Sequence, residues 1–175
     1  MSQAIFANGC FWCTEAVFQR LKGVEKVLSG FTGGRIKNPA YREVIMQDTG
    51  HAEAIHIEFD DTQIDYKTLL YVFFATHDPT TLNRQGYDVG TQYRSTIFYK
   101  TEAQKKIAEE VINELNESTF DHKIVTQIEP VQEFYIAEAE HQNFYNQNKE
   151  YRYCQLVIDP KIAVLKTKFA DYLKN

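Results

Sequence analysis

Apolar residues recur along this chain in two periods, and the switch from one to the other marks its elements. Strict alternation runs through Ala52-Glu53-Ala54-Ile55-His56-Ile57-Glu58-Phe59 and predicts a half-buried strand. Shorter apolar runs predict buried strands at Ile5-Phe6-Ala7, ended by Asn8-Gly9, and at Val24 to Phe31, closed by Thr32-Gly33-Gly34. Helical spacing governs Glu15 to Leu21, Tyr66 to Ala75 with Leu69, Leu70, Phe73 and Phe74, and the stretch after Thr101 that carries Ile107, Val111 and Leu115. Further strands are expected at Tyr41 to Met46, Tyr93 to Tyr99 and Ile124 to Ile128. Ala137 to Asn146 and Pro160 to Leu173 are expected to be helical, the second opening on a proline and repeating Ile162, Leu165, Phe169 and Leu173.

Strands and helices are interleaved with several strands adjacent, which predicts an α+β fold: a two-layer sandwich of a mixed sheet covered by helices. Between the Tyr66 to Ala75 helix and Tyr93 lies His77 to Gln92, rich in Gly, Asp and Asn and long for a connector, the kind of loop that often carries function. With 175 residues, only four prolines, no repeat and no low-complexity stretch, the chain is expected to form one domain over residues 1–175. Its C-terminal helical extension is expected from about residue 155.

Composition narrows the function. The formal charge of −5 and the lack of any basic run argue against a nucleic-acid partner. No window approaches the roughly 20 apolar residues that cross a bilayer, and the first residues lack a charged, then apolar, leader. A soluble, cytoplasmic protein without membrane contact is expected. Cys10, Cys13 and Cys154 form an odd set that cannot be a closed disulfide framework.

The strongest local feature is Gly9-Cys10-Phe11-Trp12-Cys13-Thr14-Glu15. It places Cys10 between a strand and a helix, where unpaired amides and the helix dipole favour a thiolate. A small buried hydrophobe is the commonest fate of a free cysteine, but the glycine turn and the second thiol favour reactivity. Cys13 lies within reach of a disulfide if the turn is helical. Zinc would need four ligands, and no second paired cluster exists beyond a distant Cys154 or His141, so no metal site is expected.

Several separated segments then occur in one order: Gly9-Cys10-Phe11-Trp12, Gly30-Phe31-Thr32-Gly33-Gly34, Asn38-Pro39-Ala40-Tyr41-Arg42-Glu43-Val44, Thr49-Gly50-His51-Ala52-Glu53-Ala54, His77-Asp78-Pro79-Thr80 and Gly90-Thr91-Gln92-Tyr93-Arg94-Ser95. In these, from about Ile5 to Tyr145, the chain resembles the A-type peptide-methionine sulfoxide reductases, which reduce the S epimer of methionine sulfoxide. The resemblance implies a sandwich with a ferredoxin-like core.

It also implies roles. Cys10 matches the nucleophile that attacks the sulfoxide sulfur and becomes a sulfenic acid, and Glu53 matches the proton donor, a carboxyl whose pKa an apolar pocket would raise. Taken without the resemblance, Glu53 reads as a solvated residue on the polar face of its strand. Tyr41 and Tyr93 match hydroxyls that hydrogen-bond the sulfoxide oxygen. Phe11 and Trp12 match the walls around the substrate methyl, and Asp88 matches an aspartate near the substrate amide, with turn capping as its bland alternative. His51 reads as structural. Two thiols could resolve the sulfenic acid. Cys13 matches a resolving position of some family members, while Tyr151-Arg152-Tyr153-Cys154, after His141-Gln142-Asn143-Phe144-Tyr145, matches the C-terminal cysteine of others. The glycine-rich tail of those others is missing here, and a packed tail would restrain Cys154, so Cys13 is favoured.

The resemblance further implies no metal or organic cofactor, oxidised proteins or free methionine sulfoxide as substrate, and thioredoxin, or dithiothreitol in its place, as reductant. A general thiol-disulfide oxidoreductase would share Cys10 and Cys13 but have no use for Glu53, Tyr41 and Tyr93. An inactive sulfoxide-binding module or a zinc-ordered adaptor would not need nucleophile, acid and hydroxyls together.

Overall fold

The computed structural model describes residues 1–46 and 49–174. A six-stranded sheet forms its centre, in the order β7-β6-β1-β3-β2-β8, from β1 (Ser2–Asn8), β2 (Val24–Thr32), β3 (Ala52–Phe59), β6 (Ser95–Tyr99), β7 (Gln127–Pro130) and β8 (Tyr135–Ile136). Every pairing is antiparallel except β6 with β7, which the long helix α4 (Glu102–Ser118) joins as a crossover. A parallel neighbour requires such a connection. Thr101 caps the helix, its hydroxyl accepting the Gln104 amide at 3.1 Å.

The two faces of the sheet differ. One is covered by α1 (Phe11–Phe18), α3 (Tyr66–Ala75), α4 and α6 (Asp159–Lys168), which bury Phe6, Phe18, Ile55, Ile57, Leu69, Phe73, Val111, Ile158 and Leu165 in one cluster. The other carries small residues, Ala7, Ala52 and Ala54, with Ile5 and Phe98 beneath Phe134. Methionine contributes nothing to either layer, for Met1 and Met46 are 75% and 69% exposed. Alternation in β3 sends Glu53, Ile55, Ile57 and Phe59 to the helical face, so a carboxyl enters the apolar core with the register of the aliphatics. The architecture is the expected mixed sheet covered by helices.

Several elements depart from expectation. Tyr41–Met46 is a helix, α2, not a strand. Glu43 folds back to accept the Ala40 amide at 2.9 Å, and the distant Glu138 accepts the Tyr41 amide at 3.2 Å, so first-turn donors that a strand would have spent on a neighbour are satisfied by carboxylates. Residues 137–146 hold a short 3₁₀ turn (Ala139–His141) and the single-turn helix α5 (Phe144–Gln147), separated by Asn143 in the left-handed region at φ 55°. The break has a partner: the buried Glu15 carboxylate accepts the amides of Asn143 at 2.9 Å and Phe144 at 3.3 Å. β7 starts three residues later than the apolar run Ile124 to Ile128, the Val125 amide having gone to the Pro79 carbonyl. The C-terminal helix is preceded by a π-helical turn, Cys154–Ile158, and ends at Lys168, before a 3₁₀ turn (Ala170–Tyr172) and a bridge from Leu173 to Leu21. Within the long loop, Arg84–Gln85 (β4) and Asp88–Val89 (β5) form a small hairpin.

Candidate active site

Gly9, at φ 118°, turns the chain from β1 into α1 and brings its backbone so close to the loop that an added Cβ would lie 2.9 Å from Gln85 Cγ. Cys10 follows at the N-cap, and its carbonyl accepts the amides of Cys13 at 3.0 Å and Thr14 at 3.4 Å. The helical turn thus sets the two thiols close enough to influence one another's ionisation, and they are unbridged. Thr14 ties the turn to β1 by donating to Asn8 Oδ1 at 2.6 Å.

Glu53 reaches the same spot from β3, opposite Phe31 of β2. It is 1% exposed, with Oε1 accepting the Phe11 amide at 3.1 Å while buried Oε2 has no hydrogen-bond partner among the described residues. Burial pushes this carboxyl up to about 8, against the pull of the Phe11 amide. Near neutrality Glu53 therefore carries a proton, and because Oε1 already accepts, the proton belongs on Oε2. Cys10 is held well above the ordinary thiol range by burial first, then by Cys13 and by the Glu53 carboxylate, with only the Trp12 amide pulling down. The helix start favours a thiolate at Cys10, and desolvation opposes it.

Tyr41 and Tyr93 face Glu53, Cys10 and Asp88, and burial together with those negative charges raises both phenols, keeping them protonated donors. Trp12 lies over this group, stacked 3.8 Å from Phe144 and 6.2 Å from Tyr41, and its Nε1 donates to His141 Nδ1 at 3.2 Å. Burial lowers His141, so the ring is neutral with its proton on Nε2. Phe11 is fully buried and packs on Phe31, Tyr41 and His141, forming floor where Trp12 is partly open. Asp88, on the β4–β5 hairpin, accepts a hydrogen bond from the Tyr153 hydroxyl at 2.8 Å. Tyr153 also stands 3.5 Å from Cys13 Sγ and edge-on to Trp12.

The fold thus gathers Cys10, Cys13, Glu53, Tyr41, Tyr93, Phe11, Trp12 and Asp88 around the start of α1. Cys154 is adjacent to Tyr153 in the chain but fully buried in the π-helical turn. His51 holds backbone, its Nδ1 accepting the Gly34 amide at 3.0 Å. Sequence reasoning gave no place at this site to His141, Phe144, Tyr153 or Lys161. Lys161 lines, with Cys10, Cys13, Asp88 and Tyr153, an open cavity of about 840 Å³ in which Glu53, Tyr41 and Tyr93 take no part. Only the aromatic spacing of residues 141–153 could have hinted at the first three, and nothing local marks Lys161.

Disulfide exchange would employ the two thiols and leave a protonated buried carboxyl flanked by phenols with nothing to protonate. Removal of oxygen from a substrate employs all of them, because the oxygen must leave protonated. The class defined here is therefore a thiol-dependent reductase acting on an oxygen-bearing group. The family model for peptide methionine sulfoxide reductase matches residues 2–173, and the chain belongs to that family. It is 54% identical over 176 residues to a peptide methionine sulfoxide reductase MsrA of Chromobacterium violaceum, with all of both chains covered. Among solved structures, reduced Mxr1 of Saccharomyces cerevisiae superposes with a TM-score of 0.82 at 33% identity, over 87% of this chain and 88% of the other. Mxr1 in complex with Trx2 matches with a TM-score of 0.58 at 26% identity, over 82% and 84%. The chain is an oxidoreductase of methionine sulfoxide.

Proposed function

We propose that the chain, acting as one catalytic domain, reduces the S epimer of methionine sulfoxide, peptide-bound or free, with Cys10 as nucleophile and Glu53 as acid. The observation that carries this reading is the buried Glu53 carboxyl with its unengaged Oε2 beside the Cys10 thiol. Cys10 sulfur attacks the sulfoxide sulfur, the oxygen takes the Glu53 proton and passes to Cys10 as a sulfenic acid, and the thioether leaves. The proton released by Cys10 returns to Glu53, so thiol and sulfoxide become sulfenic acid and thioether with no net proton change. Tyr41 and Tyr93 hydrogen-bond the oxygen as charge gathers on it. Trp12, on the Phe11 floor, takes the substrate methyl, which distinguishes the epimers, and Asp88 receives the substrate amide.

Cys13 then displaces the sulfenic hydroxyl to give the Cys10–Cys13 disulfide. Its place one helical turn away supports it as the resolving thiol, whereas the full burial of Cys154 argues against that cysteine. Thioredoxin returns the disulfide to thiols, a reading supported by the likeness to Mxr1 in its complex with Trx2. No metal or organic cofactor enters, since each step uses a group of the chain, and three unbridged thiols are consistent with work in the reducing cytoplasm. Among the described residues no helix is long and apolar enough to cross a membrane.

Turnover of resolved S- and R-sulfoxide peptides with dithiothreitol, beside the Cys10→Ser variant, tests the proposal. Reduction of the S form alone, lost in the variant, is expected. Reduction of neither form by folded, reduced protein would reject it.

A further inference from the structure

The first half-reaction has a proton donor in Glu53, but the second needs the opposite service, because Cys13 must lose a proton as it becomes bonded to Cys10. Glu53 is poorly suited to that: it begins as an acid, and its Oε1 is engaged by the Phe11 amide. A different set of groups surrounds Cys13. Tyr153 stands 3.5 Å from its Sγ and donates its single proton to Asp88 Oδ2 at 2.8 Å. A hydroxyl with its hydrogen so committed can meet the thiol only as acceptor, so the order is Cys13 S–H to Tyr153 oxygen, then Tyr153 O–H to the Asp88 carboxylate. Asp88 is half-exposed on its hairpin and opens to solvent through the cavity that both sulfurs line.

We propose that Tyr153 is a catalytic residue of the second half-reaction, passing the Cys13 proton to Asp88 as Cys13 attacks the Cys10 sulfenic acid. The proposal rests on the reading of Cys13 as resolving thiol. The Cys13 S–H and Cys10 S–OH bonds break and the S–S bond forms. Cys13 is oxidised and the Cys10 sulfenic sulfur is reduced. The Cys13 proton goes to the Tyr153 oxygen as the phenolic proton goes to Asp88 and on to solvent, while the displaced hydroxide takes a proton from solvent and leaves as water. After transfer the new phenolic hydrogen points at Cys13, ready to stabilise its developing charge.

The other groups around Cys13 fit this task. Lys161, on α6, donates to the Thr76 carbonyl at 2.5 Å and offers a positive charge that lowers Cys13, while Asp88 from β5 and burial oppose it. Cys10 on the same turn lowers Cys13 by hydrogen bonding. Glu53 from β3 and Cys154 behind Tyr153 complete the titratable neighbours. Burial and the adjacent negative groups raise the Tyr153 phenol far above its usual range, so it hands protons on without itself becoming charged.

The test isolates the second step. Reduced wild type and Tyr153→Phe receive one equivalent of S-sulfoxide peptide without reductant, are quenched with an alkylating reagent at intervals, and are assayed for free thiols and for the disulfide by peptide mass mapping. Disulfide formation in the variant is expected to be slower by up to about 30-fold near pH 7, the inverse of the few per cent thiolate an unassisted thiol holds there. Methionine release, measured in the same samples, separates the first step, and the gap in disulfide formation after release should close near pH 9.5, where an unassisted thiol is already ionised. Equal rates at pH 7, or a gap that does not change with pH, would overturn the proposal. Should Tyr153→Phe fail to fold, Asp88→Asn removes the end of the relay and is expected to show the same pH-dependent gap in this step. A wild-type disulfide lacking Cys13 would instead overturn the reading of Cys13, a result the mass map separates from any rate.

Discussion

At the residue scale the site is governed by a carboxyl, Glu53, and a thiol, Cys10, that burial keeps from ionising easily. Glu53, raised to about 8, can serve as the proposed acid only while protonated, so the first half-reaction should fall as pH rises through about 8. Single-turnover methionine release measured from pH 6 to 10 checks this, and Glu53→Gln should be slow throughout while Cys10 still reacts with iodoacetamide. The same shift acts on stability. A carboxyl whose folded pKa exceeds its unfolded value of about 4.5 stabilises the fold fully below that value, and the contribution is lost as pH rises to about 8. Glu53→Gln should therefore be more stable than wild type at pH 9 by on the order of a few kcal/mol, read by urea denaturation. Exchanging Cys13 for Ser should leave one stoichiometric turnover and abolish thioredoxin-supported cycling, counted as methionine released per enzyme.

At the scale of elements, α1 holds the chemistry and the segment from 137 to 147 holds α1. Glu15 on the buried side of α1 carries the amides of Asn143 and Phe144, and Phe144 in turn stacks on Trp12. Glu15→Ala would strand those donors, costing about 1–3 kcal/mol for each left buried and unsatisfied, and should loosen Trp12 enough to shift its fluorescence. What could be read from the sequence follows the same division. The strands β1, β2, β3 and β6 and the helices α3 and α4 were legible because a single period runs through each and caps or glycines bound them. Glu53 was legible only through the resemblance: the strand pattern alone reads it as solvated, because a charged residue in an alternating strand is ordinarily assigned to the polar face, whereas its odd-numbered register with Ile55, Ile57 and Phe59 carries it to the buried one. Residues 41–46 and 137–146 misled for one reason. Their conformations are decided by distant carboxylates, Glu138 for the first and Glu15 for the second, and no local spacing reports a partner about a hundred residues away. Tyr153 and Lys161 were invisible likewise, since only the return of the C-terminal segment across α1 brings them to the thiols.

For the whole molecule, that return makes the C-terminal segment part of the core. Ile158, Ile162 and Leu165 pack in the cluster that includes Phe18 and Leu21, and Leu173 bridges to Leu21. Removal of residues 155–175 should expose that cluster and give a protein that binds a hydrophobic dye, with loss of the cooperative thermal transition. The exposure of Met1 and Met46 has a different consequence. Conversion of a thioether to a sulfoxide disrupts packing only where the side chain is packed, and neither methionine is. A repair enzyme is exposed to the same oxidants as its clients, and this one keeps the vulnerable side chain out of its interior. It should stay folded under the chemistry it reverses, and its own two methionines should be open to a second copy for repair.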